Sequence, residues 1–456
     1  MLNIMKDDSG LTIAPIPILL RKIAIPAGIG LFFNTMYNVV DTYFAGLLST
    51  QVLAALSLSF PVFFIIISVS NGISTGATAL IGSALGSNDA VEARLYAVQG
   101  ISFAFLTGVL LTGFGWIVSP SIFSALGASG EYLRDCLLYM DTIFAGSLFF
   151  VLIQIFNSML NAQGDTRTFR NFLMLGFVLN VFLDPWCIYG GFAVPAMGVR
   201  GVAVSTVLIH ILGCIYLAWR AYGSGLLAGG HAREFLPRRR HFKEIAQQGF
   251  PSSLNYMTIA LGVFVISYFL SKFGQEAVAA YGVAIRIEQI VLLPMIGLNI
   301  ATLSIVAQNY GAKDFGRIRE TLQRALQYGG IVSIIGCFAV VVFGSSLMGV
   351  FSEDLQVIRI GKAYLRIDAF ALYAYVILFV HLAVLQGMKR PMFALIIGAY
   401  RQITAPYLVF YLLTEILPFG LLGIWWGIFL VTWSAAIVTY LYARRVILCV
   451  EIEESS

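Results

Sequence analysis

Apolar runs separated by short polar breaks recur along the whole chain. Twelve can be marked, at about 18–44, 52–84, 93–119, 131–160, 169–190, 195–221, 243–271, 277–310, 318–350, 357–387, 392–415 and 420–447. Each is long enough to carry a helix across a hydrocarbon core about 30 Å thick. The alternation over roughly ten-residue segments that marks a membrane barrel is not visible. A helix satisfies its own backbone hydrogen bonds in lipid. The pattern therefore predicts an all-α integral membrane protein with twelve transmembrane helices.

The chain also repeats itself. Sliding it by 225 residues sets Pro26 on Pro251, Ala54 on Ala279, Gly72 on Gly297, Gly86 on Gly311, Asp89 on Asp314 and Arg94 on Arg319. A two-residue slip then brings Gln163-Gly164 onto Gln386-Gly387. Each half holds six spans, an even number, so both halves insert the same way up. In transporters built from such parallel repeats the substrate site lies between the halves. The expected organisation is two pseudo-symmetric six-helix bundles, over 1–222 and 245–456, joined by a basic linker over 223–244.

Composition and charge fit this picture. Charged residues make up 11% and hydrophobic ones 59%, against about 25% charged in soluble domains, and the mean hydropathy is +0.87. The net charge of +5 is carried by Lys and Arg clustered in alternate breaks, among them Arg21, Lys22, Arg94, Arg167, Arg170, Arg220 and the run Arg238, Arg239, Arg240 and Lys243. The breaks at 45–52 and 415–420 hold none. This is the positive-inside asymmetry. It predicts a multi-pass protein of the cell inner membrane with both termini in the cytoplasm, and it accounts for the charge without a nucleic-acid partner. Lys6, Asp7 and Asp8 precede the first run, and no small-residue cleavage site follows a short one, so that run reads as a retained helix. The five cysteines are scattered and read as buried free thiols. A disulfide between Cys136 and Cys187, both near outer helix ends, is the alternative.

Two carboxylates stand inside apolar runs. Asp41 lies in LFFNTMYNVVDTYFAG and Asp184 in LGFVLNVFLDPWCIYG. A charge at helix-centre depth costs about 2.5–3.5 kcal/mol on the mildest scale, and such residues usually face an ion or substrate path. Asn34, Asn38 and Asp41 follow helical spacing, as do Asn180 and Asp184. At a rise of about 1.5 Å per residue, Asp41 stands about 35 Å and Asp184 about 22 Å from the inner ends of their helices, so they can meet. Two carboxylates in one dry pocket share a proton more readily than either binds one alone. The same oxygens, with Asn180 and Asn38 beside them, suit Na+ equally, and Pro185 frees the Val181 carbonyl. The expected cation-binding set is Asp41, Asp184, Asn180 and Asn38, with Asp41, Asp184 and Asn180 as metal ligands if the ion is Na+. The second half has no counterpart: Asp41 aligns with Ile266, and Asp184 falls opposite Tyr407.

Pro26 lies about four turns before Asp41 and reads as a hinge. Tyr37, Tyr139, Asn157 and Thr206 are candidate substrate-lining residues. Arg286, Glu288, Asp368 and Arg401 read as structural ion pairs, with a second ion site as the alternative, and His210 and His381 as packed imidazoles. No GxxxxGK[ST], HExxH or GxSxG pattern occurs, so neither ATP hydrolysis nor another enzymatic reaction has visible machinery.

YNVVDTYFAGLLSTQVLAALSLSFP, NGISTGATALIGSALGSNDAVEAR and LNAQGDTRTFRNFLMLGFVLNVFLDP resemble the multidrug and toxic compound extrusion (MATE) family, as do RIEQIVLLPMIGLNIATLSIVAQNYGA and LQGMKRP. The resemblance runs from about residue 15 to 447. It implies two six-helix bundles around a cleft, alternating access, and export of amphipathic organic cations against H+ or Na+, with no other cofactor and as a monomer. Asp41, Asn180 and Asp184 resemble the DinF-like prokaryotic branch. That branch places the cation site in the first lobe, helix bending at Pro26, and Tyr139 and Asn157 in a polar network. The family's alternative acidic position on helix 7 is occupied here by Asn255. Val202 stands where a network hydroxyl is expected, with Thr206 one turn on. A lipid or lipid-linked precursor flippase of related architecture is the alternative, disfavoured by twelve spans and an acidic first lobe.

Overall fold

A computed structural model describes residues 10–192 and 194–455; Lys6, Asp7 and Asp8 lie outside them. Twelve long apolar helices are present among the described residues: α1 (Ile16–Leu48), α2 (Thr50–Gly86), α3 (Ala90–Ala125), α4 (Gly130–Ala162), α5 (Arg167–Tyr189), α6 (Val199–Gly223), α7 (Arg239–Ser271), α8 (Gln275–Gly311), α9 (Phe315–Gly349), α10 (Leu355–Gly387), α11 (Met392–Ile416) and α12 (Gly420–Ile452). Large apolar side chains such as Phe114, Ile117, Ile334 and Phe338 stay exposed in mid-helix, as lipid-facing positions must. The basic run from Arg239 to Lys243, expected in the linker, is the first turn of α7. Cys136 and Cys187 are both buried free thiols.

The repeat is now visible in the backbone. Asp89 and Asp314 each cap a helix, accepting from the Glu92 and Arg317 amides at 2.9 and 3.0 Å. Asn88 and Lys313, just before them, share a left-handed backbone (φ 57° and 59°). α4 and α10 end at Ala162 and Gly387, and the left-handed residues that follow are Gly164 (φ 77°) and Lys389 (φ 60°). The offset is therefore still 225 here. The two-residue slip that paired Gln163-Gly164 with Gln386-Gly387 follows residue identity, whereas the turn geometry pairs Gly164 with Lys389. On this register Val409, rather than Tyr407, stands opposite Asp184.

The chain forms two compact units that exchange the starts of two helices. Residues 29–253 belong to the first, and residues 10–28 with 254–456 to the second. This differs from the division at 222 and 245 expected from the sequence. The crossing points, after Gly28 and after Ser253, lie two residues beyond Pro26 and Pro251.

In the first unit α4 is central, packing on α2, α3 and α6, with α5 against α6. In the second unit α10 takes that place, packing on α8, α9 and α12. The start of α1 buries Ile16, Leu19, Leu20 and Ile23 in the core of the second unit, against Leu292, Met295 and Leu298 of α8. Contact is close because Gly297 has no side chain: a Cβ there would lie 2.5 Å from the Ala24 carbonyl and 2.9 Å from the Gly28 amide. The matching contact in the first unit is Gly72 of α2 against Ser253 of α7, where a Cβ would come within 2.1 Å of the Ser253 hydroxyl. Gly297→Val is expected to destabilise the protein by about 1–3 kcal/mol, read as a lower melting temperature in detergent with the wild-type helix content retained.

Candidate functional site

The carboxylates expected from sequence come together in the first unit. Asp184 and Asn180, one turn apart on α5, are fully buried, and Asp41 of α1 is nearly so. The Asn180 amide nitrogen bridges them, donating to Asp41 Oδ1 at 2.8 Å and to Asp184 Oδ1 at 3.0 Å. This fixes which way the amide points, since the reverse orientation would set its oxygen against two carboxylate oxygens. The two carboxyl groups also lie within hydrogen-bonding reach of each other.

The Ser205 hydroxyl of α6 donates to the same Asp184 Oδ1 in a short hydrogen bond. Sequence reasoning missed Ser205. Its only signal was the neighbouring Thr206, which does face the site: the Thr206 side chain lies beside Asp41 and Tyr37, and its hydroxyl donates to the Val202 carbonyl at 3.0 Å. The Val202 carbonyl thus serves only to hold the Ser205 and Thr206 hydroxyls of its own helix.

Three oxygens at this place are buried without a hydrogen-bond partner: Asp184 Oδ2, Asn180 Oδ1 and the Tyr37 hydroxyl. Two of them can only accept. Buried acceptors are almost always satisfied, and a proton or an oxygen-liganded cation would satisfy the free carboxylate oxygen. Two negative charges in a dry pocket repel strongly, and either occupant relieves that repulsion.

The remaining candidates divide. Tyr37, one turn before Asp41, is buried beside it, and Tyr139 of α4 is buried within the field of both carboxylates. Asn38, expected as a ligand, turns away: it lies on an exposed face, and its amide donates to the Asn34 carbonyl at 2.8 Å. Local side-chain-to-backbone bonding of this kind satisfies an asparagine without a tertiary partner. Asn157 is 18 residues beyond Tyr139 on α4, about 27 Å along the axis. It joins a separate chain, donating to Gln154 Oε1 at 3.3 Å, while Gln154 donates to Asn71 Oδ1 at 2.8 Å. Asn157 Oδ1 is buried without a partner.

In the second unit the four charges expected to pair do not do so directly. Glu288 accepts from the Tyr364 hydroxyl at 2.6 Å, Arg401 lies 5.3 Å over the Tyr375 ring, and Arg286 is exposed. His210 stacks on Phe150 at 3.8 Å, and both His210 and His381 bond the carbonyl one turn back, at 2.7 Å each.

Twelve membrane-length helices, with two buried carboxylates bridged by one amide in the first unit, are the arrangement of a membrane transporter. The profile of the family described as MatE matches residues 26–186 and again 251–412, two stretches that begin at Pro26 and Pro251. The chain belongs to the MATE family of efflux transporters. It is 29% identical over 90% of its length, and 88% of the relative's, to the probable multidrug resistance protein NorM of Thermotoga maritima. It is 27% identical to the FAD transporter of Shewanella oneidensis, over 88% of each chain. A crystal structure of a MATE protein in the bent conformation superposes with a TM-score of 0.92 at 25% identity, covering 99% of this chain and 100% of that one. The expected fold, a twelve-helix MATE bundle, is thereby established.

Proposed function

We propose that this transporter exports amphipathic, often cationic, organic compounds by alternating access, driven by inward movement of a cation through the Asp41–Asn180–Asp184 site. The observation that carries this reading is the pair of buried carboxylates bridged by one amide and left with two unpartnered acceptor oxygens. The proton is the coupling ion we favour, because carboxyl groups within hydrogen-bonding reach of each other hold one between them. Na+ is its competitor for the same oxygens, with Asp41, Asp184 and Asn180 as ligands. Tyr37, Tyr139 and Thr206 extend the site, and the Asn157 chain offers amide contacts to substrate at another level of the first unit. Asn38 has no part in ion binding.

Loading and discharge change the charge at Asp41, and we propose that α1 answers by bending. Pro26 has no amide hydrogen for the Lys22 carbonyl, and Gly28 and Gly30 follow it. The start of α1 is held in one compact unit while its remainder, with Asp41, belongs to the other. Relatives called multidrug resistance proteins support drug export.

Vesicles loaded with a fluorescent organic cation test the coupling. Efflux after a pH step without Na+ supports the proton. Efflux only after addition of Na+ at fixed pH replaces it with Na+, and no response to either removes the reading. Asn180→Ala removes two hydrogen bonds that favour the charged carboxylates, so a proton should be held more tightly and Na+ more weakly. The ion dependence of efflux is then expected to shift about tenfold or more without export being abolished. The Shewanella oneidensis FAD transporter suggests a second reading, export of a flavin dinucleotide; flavin release from the same vesicles tests it.

A further inference from the structure

The segments entering α1 and α7 are fastened in matching ways. In the second unit Leu11, just before α1, is fully buried. The Arg317 Nη2 at the start of α9 donates to the Leu11 carbonyl at 3.0 Å and the Ala14 carbonyl at 2.7 Å. Its Nε holds Asn309 Oδ1 at 2.9 Å, and Asn309, fully buried, returns a hydrogen bond to the Leu11 carbonyl at 3.1 Å. One guanidinium thus ties three acceptors from two chain segments, a use suited to its rigid fork of donors.

In the first unit Leu236 stands 225 residues after Leu11, and here the clamp is Gln99 of α3, fully buried. Its amide nitrogen donates to the Glu234 carbonyl in a short contact and to the Leu236 carbonyl at 2.8 Å, and its oxygen accepts from the Arg238 amide at 2.7 Å. Arg94 adds an ion pair to Glu234 at 3.1 Å, and Ser102 donates to the Phe235 carbonyl at 2.7 Å. The residues doing this differ between the halves, while the place they act on is the same. A single Gln satisfying three backbone groups of one loop holds that loop as a neighbouring strand would.

We propose that Arg317 and Gln99 are positioning residues for transport: each anchors the base of one proline-bearing helix, so that motion driven from the ion site appears as a bend at Pro26 or Pro251. With the base free, the same force would tilt the whole helix and dissipate. The inference rests on the bending of α1 proposed above. It adds two residues far from the ion site in sequence, each with a defined backbone target.

The test uses the full chain, with Cys449 replaced by Ser and spin labels at Ile18 and Val39, both exposed positions on α1. Wild-type protein is expected to show two inter-label distances whose ratio changes with pH or Na+. Arg317→Lys keeps the charge but loses the fork. It should broaden these distances and slow export about tenfold, the size of one hydrogen bond to a charged group, while substrate affinity stays within about twofold. Gln99→Met, of similar shape, should slow export in the same way. Wild-type export by both folded variants, with unchanged label distances for Arg317→Lys, overturns the anchoring role alone. Distances in the wild type that ignore both ions overturn the bending itself, and the anchors with it.

Discussion

Asp41→Asn is expected to abolish cation-coupled export while leaving the protein folded. The amide matches the carboxylate in shape, so it fits the space beside Asn180 and Thr206. It cannot take up or release a proton, and it carries no charge to attract Na+. The substitution also removes one of two buried negative charges from a pocket that pays for both in repulsion, so the melting temperature should hold or rise. Export driven by a pH or Na+ gradient should fall about 100-fold or more, the loss expected when an exchangeable group rather than one contact is removed. Dye-loaded vesicles measure this directly. Full export by a well-expressed Asp41→Asn protein would dismiss the site. Asp184→Asn should be as damaging, and it further tests whether the Ser205 hydroxyl, which now donates to Asp184 Oδ1, can be accommodated beside an amide.

Pro26→Ala is expected to separate binding from transport. Alanine restores the amide hydrogen to the Lys22 carbonyl and removes the ring that crowds it. In an ordinary helix interior this exchange is worth about 3 kcal/mol. A switch whose two states differ by a few kcal/mol is biased strongly by a change of that size. The position matters as much as the magnitude. Pro26 is buried, and two residues beyond it the helix passes from one compact unit to the other. Fluorescent-substrate binding in detergent should stay within about twofold, while gradient-driven efflux slows by about 100-fold. Unchanged efflux with unchanged binding would make the proline a passive feature of α1.

Much of this protein was legible in its sequence, for a plain reason. Lipid admits few solutions for the backbone, so apolar length alone located twelve helices. The 225-residue offset, read from Pro26, Gly72, Asp89 and Arg94, recurs in the backbone as matching helix caps at Asp89 and Asp314. Asp41, Asn180 and Asp184 could be singled out because a carboxylate in an apolar run is costly and therefore informative.

Serine carries no such signal. Ser205 is common and cheap in a helix, and only the packing of α6 on α5 reveals it as a donor to Asp184. Asn38 failed in the opposite sense: helical spacing put it near Asp41, but a local bond to the Asn34 carbonyl on an exposed face satisfied it. Tertiary contacts alone decided that α1 and α7 begin in one compact unit and continue in the other. A backbone approach such as Gly297 to Ala24 is made between segments about 270 residues apart, and a sequence read in windows carries no trace of which segment will come that close.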